Sequence, residues 1–275
     1  MEKLYLQMYS FGEFDPALTE GHLAAAHEMG YDGVELFGPN FAVEADRMKQ
    51  LLADNQLEAI SMHTSSNNVI DMIPYAKALG LKHIVIAMEH LPDLEAAEAF
   101  AKQLNEMGKQ CHENGILLGY HNHTQEFRAF GDQRIIDVIL EKTNPDHVFM
   151  ELDAGWCAAA GHDPIIFLHQ YKDRVKLIHV KESDTVIGVQ PSIDPKDMKY
   201  DENGFPALSE EEKERHRRNV EMNCAAGKGL VDWKELRTIA DGYGCRGYIV
   251  EREHSYEGER IQCLQADLNY YKKNM

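Results

Sequence analysis

Two hydrophobic periods alternate along the chain. Short apolar runs near 4–10, 33–37, 58–63, 83–88, 116–121, 148–153, 175–181 and 248–253 read as strands. Most lack polar alternation, which suits strands buried on both faces of a parallel sheet. Between them, stretches such as LTEGHLAAAHEMG, VEADRMKQLLADN, VIDMIPYAKALG and LEAAEAFAKQLNEMGKQCHENG carry apolar residues at three- and four-residue spacing, the mark of helices. Three of them stop at Gly30, Gly80 and Gly115, as left-handed helix ends do. Eight β-then-α units in 275 residues predict one (β/α)8 TIM barrel over 1–275 rather than an open doubly wound sheet. No G-x-G-x-x-G follows the first strand, so dinucleotide binding has no support.

One segment breaks the rhythm. Residues 184–229 are too many for a simple βα loop and read as an insertion after the seventh strand. Pro191, Pro195, Pro206 and the Asp201-Glu202-Asn203-Gly204 turn break its first half. Ser209 followed by Glu210, Glu211 and Glu212 has the form of a capping box, predicting a helix over about 209–224. The insertion leaves from the mouth of the barrel, so it is expected to fold over that mouth as a lid.

Composition narrows the classes. Hydrophobic residues make up 44% of the chain, enough for a full core. Acids outnumber bases 46 to 28, a formal charge of -18, which opposes nucleic acid and anionic membranes as partners. The mixed run EEEKERHRR at 210–218 reads as a solvated helix face. Five scattered cysteines without a CxxC pair indicate neither a disulfide framework nor a zinc knuckle. MEKLYLQMYSFG lacks a signal-peptide layout, and no apolar run approaches membrane length, so a reducing cytoplasm is the expected location.

Active sites of βα barrels sit where the strands' carboxyl ends open. The polar residues at those ends are Glu35, His63, His121, Asn122, His123, Glu126, Glu151, Asp153, His179, Lys181, Glu182, Glu251 and Glu253. Along a strand, Glu151 and Asp153 share a side, as do His179 and Lys181, and Glu251 and Glu253. If those sides face the axis, Glu126, Asp153, His179 and Glu251 converge. Three crowded carboxylates repel one another, and a divalent cation removes that problem. Oxygen-rich ligation with one imidazole favours Mn²⁺, Mg²⁺ or Co²⁺, with Zn²⁺ not excluded. His63 reads either as a hydrogen-bonded structural histidine or as a substrate contact, and Trp156 as packing or pocket wall.

At these residues the chain resembles the xylose isomerase-like TIM-barrel superfamily, within its sugar phosphate isomerase/epimerase group. YHNHTQEF at 120–127, ELDAGWCAAAGHDP at 151–164, HVKES at 179–183, GKGLVDW at 227–233 and GYIVERE at 247–253 carry the resemblance across nearly the whole chain. It implies a Glu, an Asp, a His and a second Glu around Mn²⁺ or a similar ion, by position Glu126, Asp153, His179 and Glu251. The HNHxxE form is similar to inosose dehydratases and the metal subunits of C-glycoside-cleaving enzymes. Ketose 3-epimerases place a glutamate inside strand five, and this chain does not.

The expected activity is therefore metal-dependent isomerisation or epimerisation of an unphosphorylated sugar, keto-sugar or inosose through an enediolate. The alternative is a lyase on the same site, an inosose dehydratase or 3-keto-glycoside eliminase. His123 is the expected base, with His121 in reserve. Lys181 steadies the developing oxyanion or donates a proton, and Glu126 or Glu251 shares acid–base duty. His63, His121, Trp156 and Glu253 are the expected substrate contacts. Two other classes are weighed against this: an abasic-site endonuclease, which needs several zinc ions and a basic face, and a non-catalytic sugar-binding subunit. The group often pairs, so a homo-oligomer is compatible with the sequence, though no interface is readable in it.

Overall fold

The computed structural model describes residues 3–194, 196 and 208–275. Pro195, Pro206 and the 201–204 turn lie outside the described residues. Eight parallel strands close into a barrel: β1 (Leu4–Gln7), β2 (Gly33–Leu36), β3 (Glu58–Thr64), β4 (His83–Ile86), β5 (Leu117–His121), β6 (Val148–Asp153), β7 (Val175–Val180) and β8 (Gly247–Val250). Parallel pairing of β1 with β8 completes the ring. Helices α1 (Thr19–Met29), α2 (Ala45–Asp54), α3 (Val69–Leu79), α4 (Leu94–Glu113) and α5 (Ile135–Lys142) follow the first five strands. The short α6 (Ala154–Ala159) and α7 (Pro164–Gln170) follow β6. After β7 come α8 (Glu210–Glu221) and α9 (Trp233–Gly242), and α10 (Arg260–Asn274) ends the barrel. The expected architecture is the observed one. The first strand is shorter than its apolar run, because the Gln7 side chain accepts from Tyr9 N and turns the chain into a 3-10 helix at Met8–Phe11. None of the helices searched is long and apolar enough to cross a membrane.

Alternation divides each strand between two environments. One set of side chains, among them Leu6, Val34, Ile84, Leu118, Met150, Ile178 and Val250, packs outward beneath the helices. The other set points inward. Tyr5, Val85, Phe149, Leu177 and Ile249 form a separate apolar cluster that floors the barrel. Gly119 makes room for that floor, since a Cβ there would lie 2.6 Å from the Phe149 ring. Two residues further along these strands the inward positions are Gln7, His121, Glu151, His179 and Glu251, so the floor gives way to a polar tier.

The insertion is tied down at both ends. Asp184 N donates to Met222 O, and Ile187 N and Gly188 N donate to Ala159 O beyond β6. Gln190 N donates to Thr124 Oγ1 beyond β5, and Ser192 Oγ accepts from Leu91 N beyond β4. The described arm therefore crosses three strand-end loops. Ser209 and Glu212 form the capping box that starts α8. Glu182 Oε1 anchors the return, accepting from Gly227 N at 2.6 Å, Trp233 Nε1 at 2.8 Å and Tyr271 OH at 3.1 Å.

Gly155 lets α6 begin directly against β7, because a Cβ there would lie 2.3 Å from the Lys181 carbonyl oxygen. Backbone cannot yield as a flexible side chain does. Gly155→Ala is expected to destabilise the protein by about 1–3 kcal/mol, read as a lower Tm; an unchanged Tm would show that α6 shifts at no cost.

Candidate metal centre

The stretch ELDAGW builds one wall of the site. Asp153 is the last residue of β6 and the N-cap of α6, its Oδ1 accepting from Trp156 N at 2.7 Å. That bond fixes the carboxylate at the helix start and leaves Oδ2 buried without a hydrogen-bond partner. His121 Nε2 stands 3.9 Å from this free oxygen, too far for a hydrogen bond and near the spacing of two atoms sharing one ion. His179 Nδ1 faces Glu251 Oε2 at 3.2 Å. Asp153, His179 and Glu251 each place one ligand atom within 4.8 Å of the others. His63, His121, Glu151 and His179 form a second such group.

Below this lies a further acidic pair. Glu35 and Glu151 are both fully buried. Glu35 Oε1 is 2.7 Å from His179 Nε2, and Glu151 Oε2 is 2.5 Å from His63 Nε2 and 3.1 Å from His121 Nδ1. Gln7 Nε2 donates to Glu35 at 2.7 Å, and Ser61 Oγ donates to its other oxygen.

The sequence-derived candidates are placed unevenly. Asp153, His179 and Glu251 come together. Glu126 is buried on the turn after β5, where its carboxylate accepts from His123 N at 2.8 Å, Tyr120 OH at 2.8 Å and Gln125 Nε2 at 3.1 Å. It belongs to neither ligand group among the described residues. Tyr120 follows the outward side of β5, its ring 5.4 Å from that of Phe100 on α4, and it holds the Glu126 carboxylate on that side. His121 and His63 lie inside the cluster rather than at its rim. Lys181 is buried, paired with Glu253 at 3.2 Å, its ammonium 5.2 Å from the centre of the Trp156 ring. His123 packs against the rings of Trp156 and His121, with Nδ1 buried and unpartnered. Glu35 and Glu151 stood among the strand-end acids but had no role in the sequence reading; inward alternation on β2 and β6 was the signal that could have found them.

Electrostatics follow from burial among charges. Burial opposes ionisation of Glu151, but the His179 and His63 imidazoles and the His121 hydrogen bond hold it well below the usual carboxylate range. Burial, then the neighbouring Glu151 charge, raises Glu35. Burial disfavours protonation of His179, yet Glu151 and Glu35 raise it well above an ordinary imidazole. Burial opposes ionisation of Glu251 too, but Lys181 and His179 pull it down. Burial lowers His123 despite nearby acids, leaving a neutral imidazole. Burial, reinforced by Glu251, pushes Asp153 up to about 7 from an ordinary 3.8, against the pull of Lys181 and His179. Four buried carboxylates, an orphaned acid oxygen and imidazoles facing them are a donor set that fits a divalent cation.

Comparison with known proteins agrees with the architecture. Residues 23–274 match the family described as xylose isomerase-like TIM barrel. The chain belongs to the xylose isomerase-like TIM-barrel family. An inosose dehydratase of Lacticaseibacillus casei is 25% identical over 269 residues, covering 86% of this chain and 80% of that protein. A Clostridium tetani inosose dehydratase is 34% identical over 82 residues, which span 30% of this chain and 27% of that protein. Among solved structures, a sugar phosphate isomerase/epimerase from Parabacteroides distasonis ATCC 8503 superposes with a TM-score of 0.74 at 19% identity, covering 98% of this chain and 97% of that one. An IolI protein with a bound zinc atom gives 0.71 at 15% identity, covering 100% and 99%. These structural likenesses establish the fold alone.

Asp153 generates a pH prediction. Its raised value means that the ion-free protein keeps this proton to near neutrality. The stability gained from the protonated form is full below the ordinary carboxylate range and is lost as pH rises through about 7. A cation needs the carboxylate, so it must displace the proton at about pH 6 but far less at about pH 8. The rise in Tm on adding excess divalent ion is expected to be larger at about pH 8. Equal rises at both pH values would remove Asp153 from the ligand set.

Proposed function

We propose that this protein is a divalent-metal-dependent enzyme that removes a proton beside the carbonyl of a sugar, keto-sugar or inosose. The observation that carries the reading is the buried, unpartnered Asp153 Oδ2 set among His121, His179 and Glu251, with the free Nδ1 of His123 nearby. Asp153, His179 and Glu251 would hold the ion, with His121 as fourth ligand in place of Glu126, whose carboxylate is taken up by three donors. Mn²⁺ suits this mixed oxygen and imidazole set, and Mg²⁺, Co²⁺ and Zn²⁺ are the rivals. When bound, the ion supplies a Lewis acid that draws electron density from the substrate carbonyl and an adjacent hydroxyl.

The protein's own groups do the rest. The neutral His123 imidazole accepts the carbon-bound proton, and the electron pair left behind moves toward the carbonyl oxygen to give an enediolate. Burial opposes the charge on Lys181, but Glu253 and Glu251 outweigh it and keep the ammonium protonated, ready to steady that oxygen or return a proton. The Trp156 ring walls the space between His123 and Lys181 and limits water. Reprotonation of the enediolate on carbon gives an isomer or epimer, the primary reading. Expulsion of a β-hydroxyl, which takes a proton from Lys181 or the newly formed His123 imidazolium and leaves as water, gives a lyase, a second reading favoured by the inosose dehydratase relatives.

Incubation with Mn²⁺ and a panel of ketoses, inososes and 3-keto-glycosides in D₂O tests both. Deuterium at the carbon beside the carbonyl with the skeleton intact is expected for isomerisation or epimerisation. Loss of water or of an aglycone supports the lyase, and neither outcome across the panel, with metal bound, would sink the reading.

His123→Asn is expected to retain the ion while turnover falls by roughly 10²–10⁴-fold, the scale of one positioned acid–base group. Loss of metal from the variant would place His123 among the ligands instead.

A further inference from the structure

We propose that Glu151 and Glu35 form a tautomer clamp beneath the ion site. They accept the N–H groups of His121 and His179, so that His121 Nε2 and His179 Nδ1 are left as lone-pair donors toward the cation. The inference deepens the metal-dependent reading above and rests on it.

Each of the two rings spans two tiers. His121 turns Nδ1 to Glu151 Oε2 at 3.1 Å and Nε2 toward the free Asp153 oxygen at 3.9 Å. His179 turns Nε2 to Glu35 Oε1 at 2.7 Å and to Glu151 Oε2 at 3.3 Å, and Nδ1 toward Glu251 at 3.2 Å. An imidazole bound to an ion keeps one N–H and offers one lone pair, so His179, held protonated by its acidic neighbours in the ion-free protein, gives up its second proton when the ion binds. A carboxylate at one nitrogen therefore decides which nitrogen is free for the metal, and such partners also raise ligand basicity.

The clamp is itself held. Gln7 Nε2 and Ser61 Oγ donate to the two oxygens of Glu35, which cannot rotate without breaking both bonds. His63 Nε2 lies 2.5 Å from Glu151 and 3.1 Å from Glu35, joining the pair. Its ring stacks on that of His179, centroids 5.2 Å apart and planes within 5°. A second cation between Glu35, Glu151 and His63 is the competing use of these groups. It would draw on the same imidazole nitrogens. Two ions bridged by His179 would leave that ring no proton, an imidazolate.

Calorimetric titration of the full-length protein with MnCl₂ tests the clamp, using wild type, Glu151→Gln and Glu35→Gln. The absorption spectrum of each Co²⁺-loaded protein provides a second readout of ligand orientation. One ion per chain is expected in the wild type, with affinity lowered roughly 10–100-fold in each variant and a shifted Co²⁺ spectrum. If Glu151→Gln does not fold, Glu35→Gln decides alone. Wild-type affinity and an unshifted spectrum in a folded variant would overturn the clamp while leaving the metal reading intact. Two ions per chain, with one lost in the variants, would replace the clamp by a second metal site. No Mn²⁺ binding by the wild type would remove the metal reading and the clamp with it.

Discussion

Four carboxylates are buried at one end of a barrel whose other interior layer is hydrocarbon, and this is the constraint on which the site depends. Glu35, Glu151, Asp153 and Glu251 share a space with one lysine and several imidazoles. An unpaired buried charge costs several kcal/mol, so each acid must find a donor, a proton or a cation. Glu35 takes Gln7, Ser61 and His179; Glu151 takes three imidazoles; Glu251 takes His179. Glu151 and Asp153 each leave one oxygen without a hydrogen-bond partner, but three imidazoles hold Glu151 ionised, whereas Asp153 accepts only from its own helix, so Asp153 is the group whose ionisation the fold leaves open.

The barrel makes this crowding possible by alternation alone. The same side of the strands that supplies the floor of Tyr5, Phe149, Leu177 and Ile249 supplies, two residues later, Gln7, Glu151, His179 and Glu251. Charge is thus confined to one level, with a rigid apolar layer beneath it. The floor fixes the height of the acids, since a strand cannot slide without moving Phe149 into Gly119's backbone or leaving a void.

Access is shaped by what leaves the strand ends. The described part of the insertion runs over the loops after β6, β5 and β4 and returns to Glu182, which sits beside Lys181 on the outward side of β7. The residue that roots the arm and the residue that carries positive charge into the site are therefore neighbours in the chain. Glu126 has a comparable place on the turn after β5, joining Tyr120 beneath α4 to the backbone of His123. It orients the segment that bears the proposed base.

By itself the sequence determined the eight βα units, the insertion after β7 with its Ser209-capped helix, and the convergence of Asp153, His179 and Glu251. Those properties follow from local periodicity, capping chemistry and the two-residue repeat of a strand, all of which act over a few residues. Tertiary structure alone decided that Glu126 turns to Tyr120 and that His121 takes the place facing Asp153. The reason is that Glu126 lies beyond the end of β5, where the strand's alternation no longer says which way a side chain points. The pairing of Glu35 and Glu151 with His63, His121 and His179 also required closure of the ring. These five residues come from five strands, and only the barrel's registers bring their side chains within hydrogen-bonding distance.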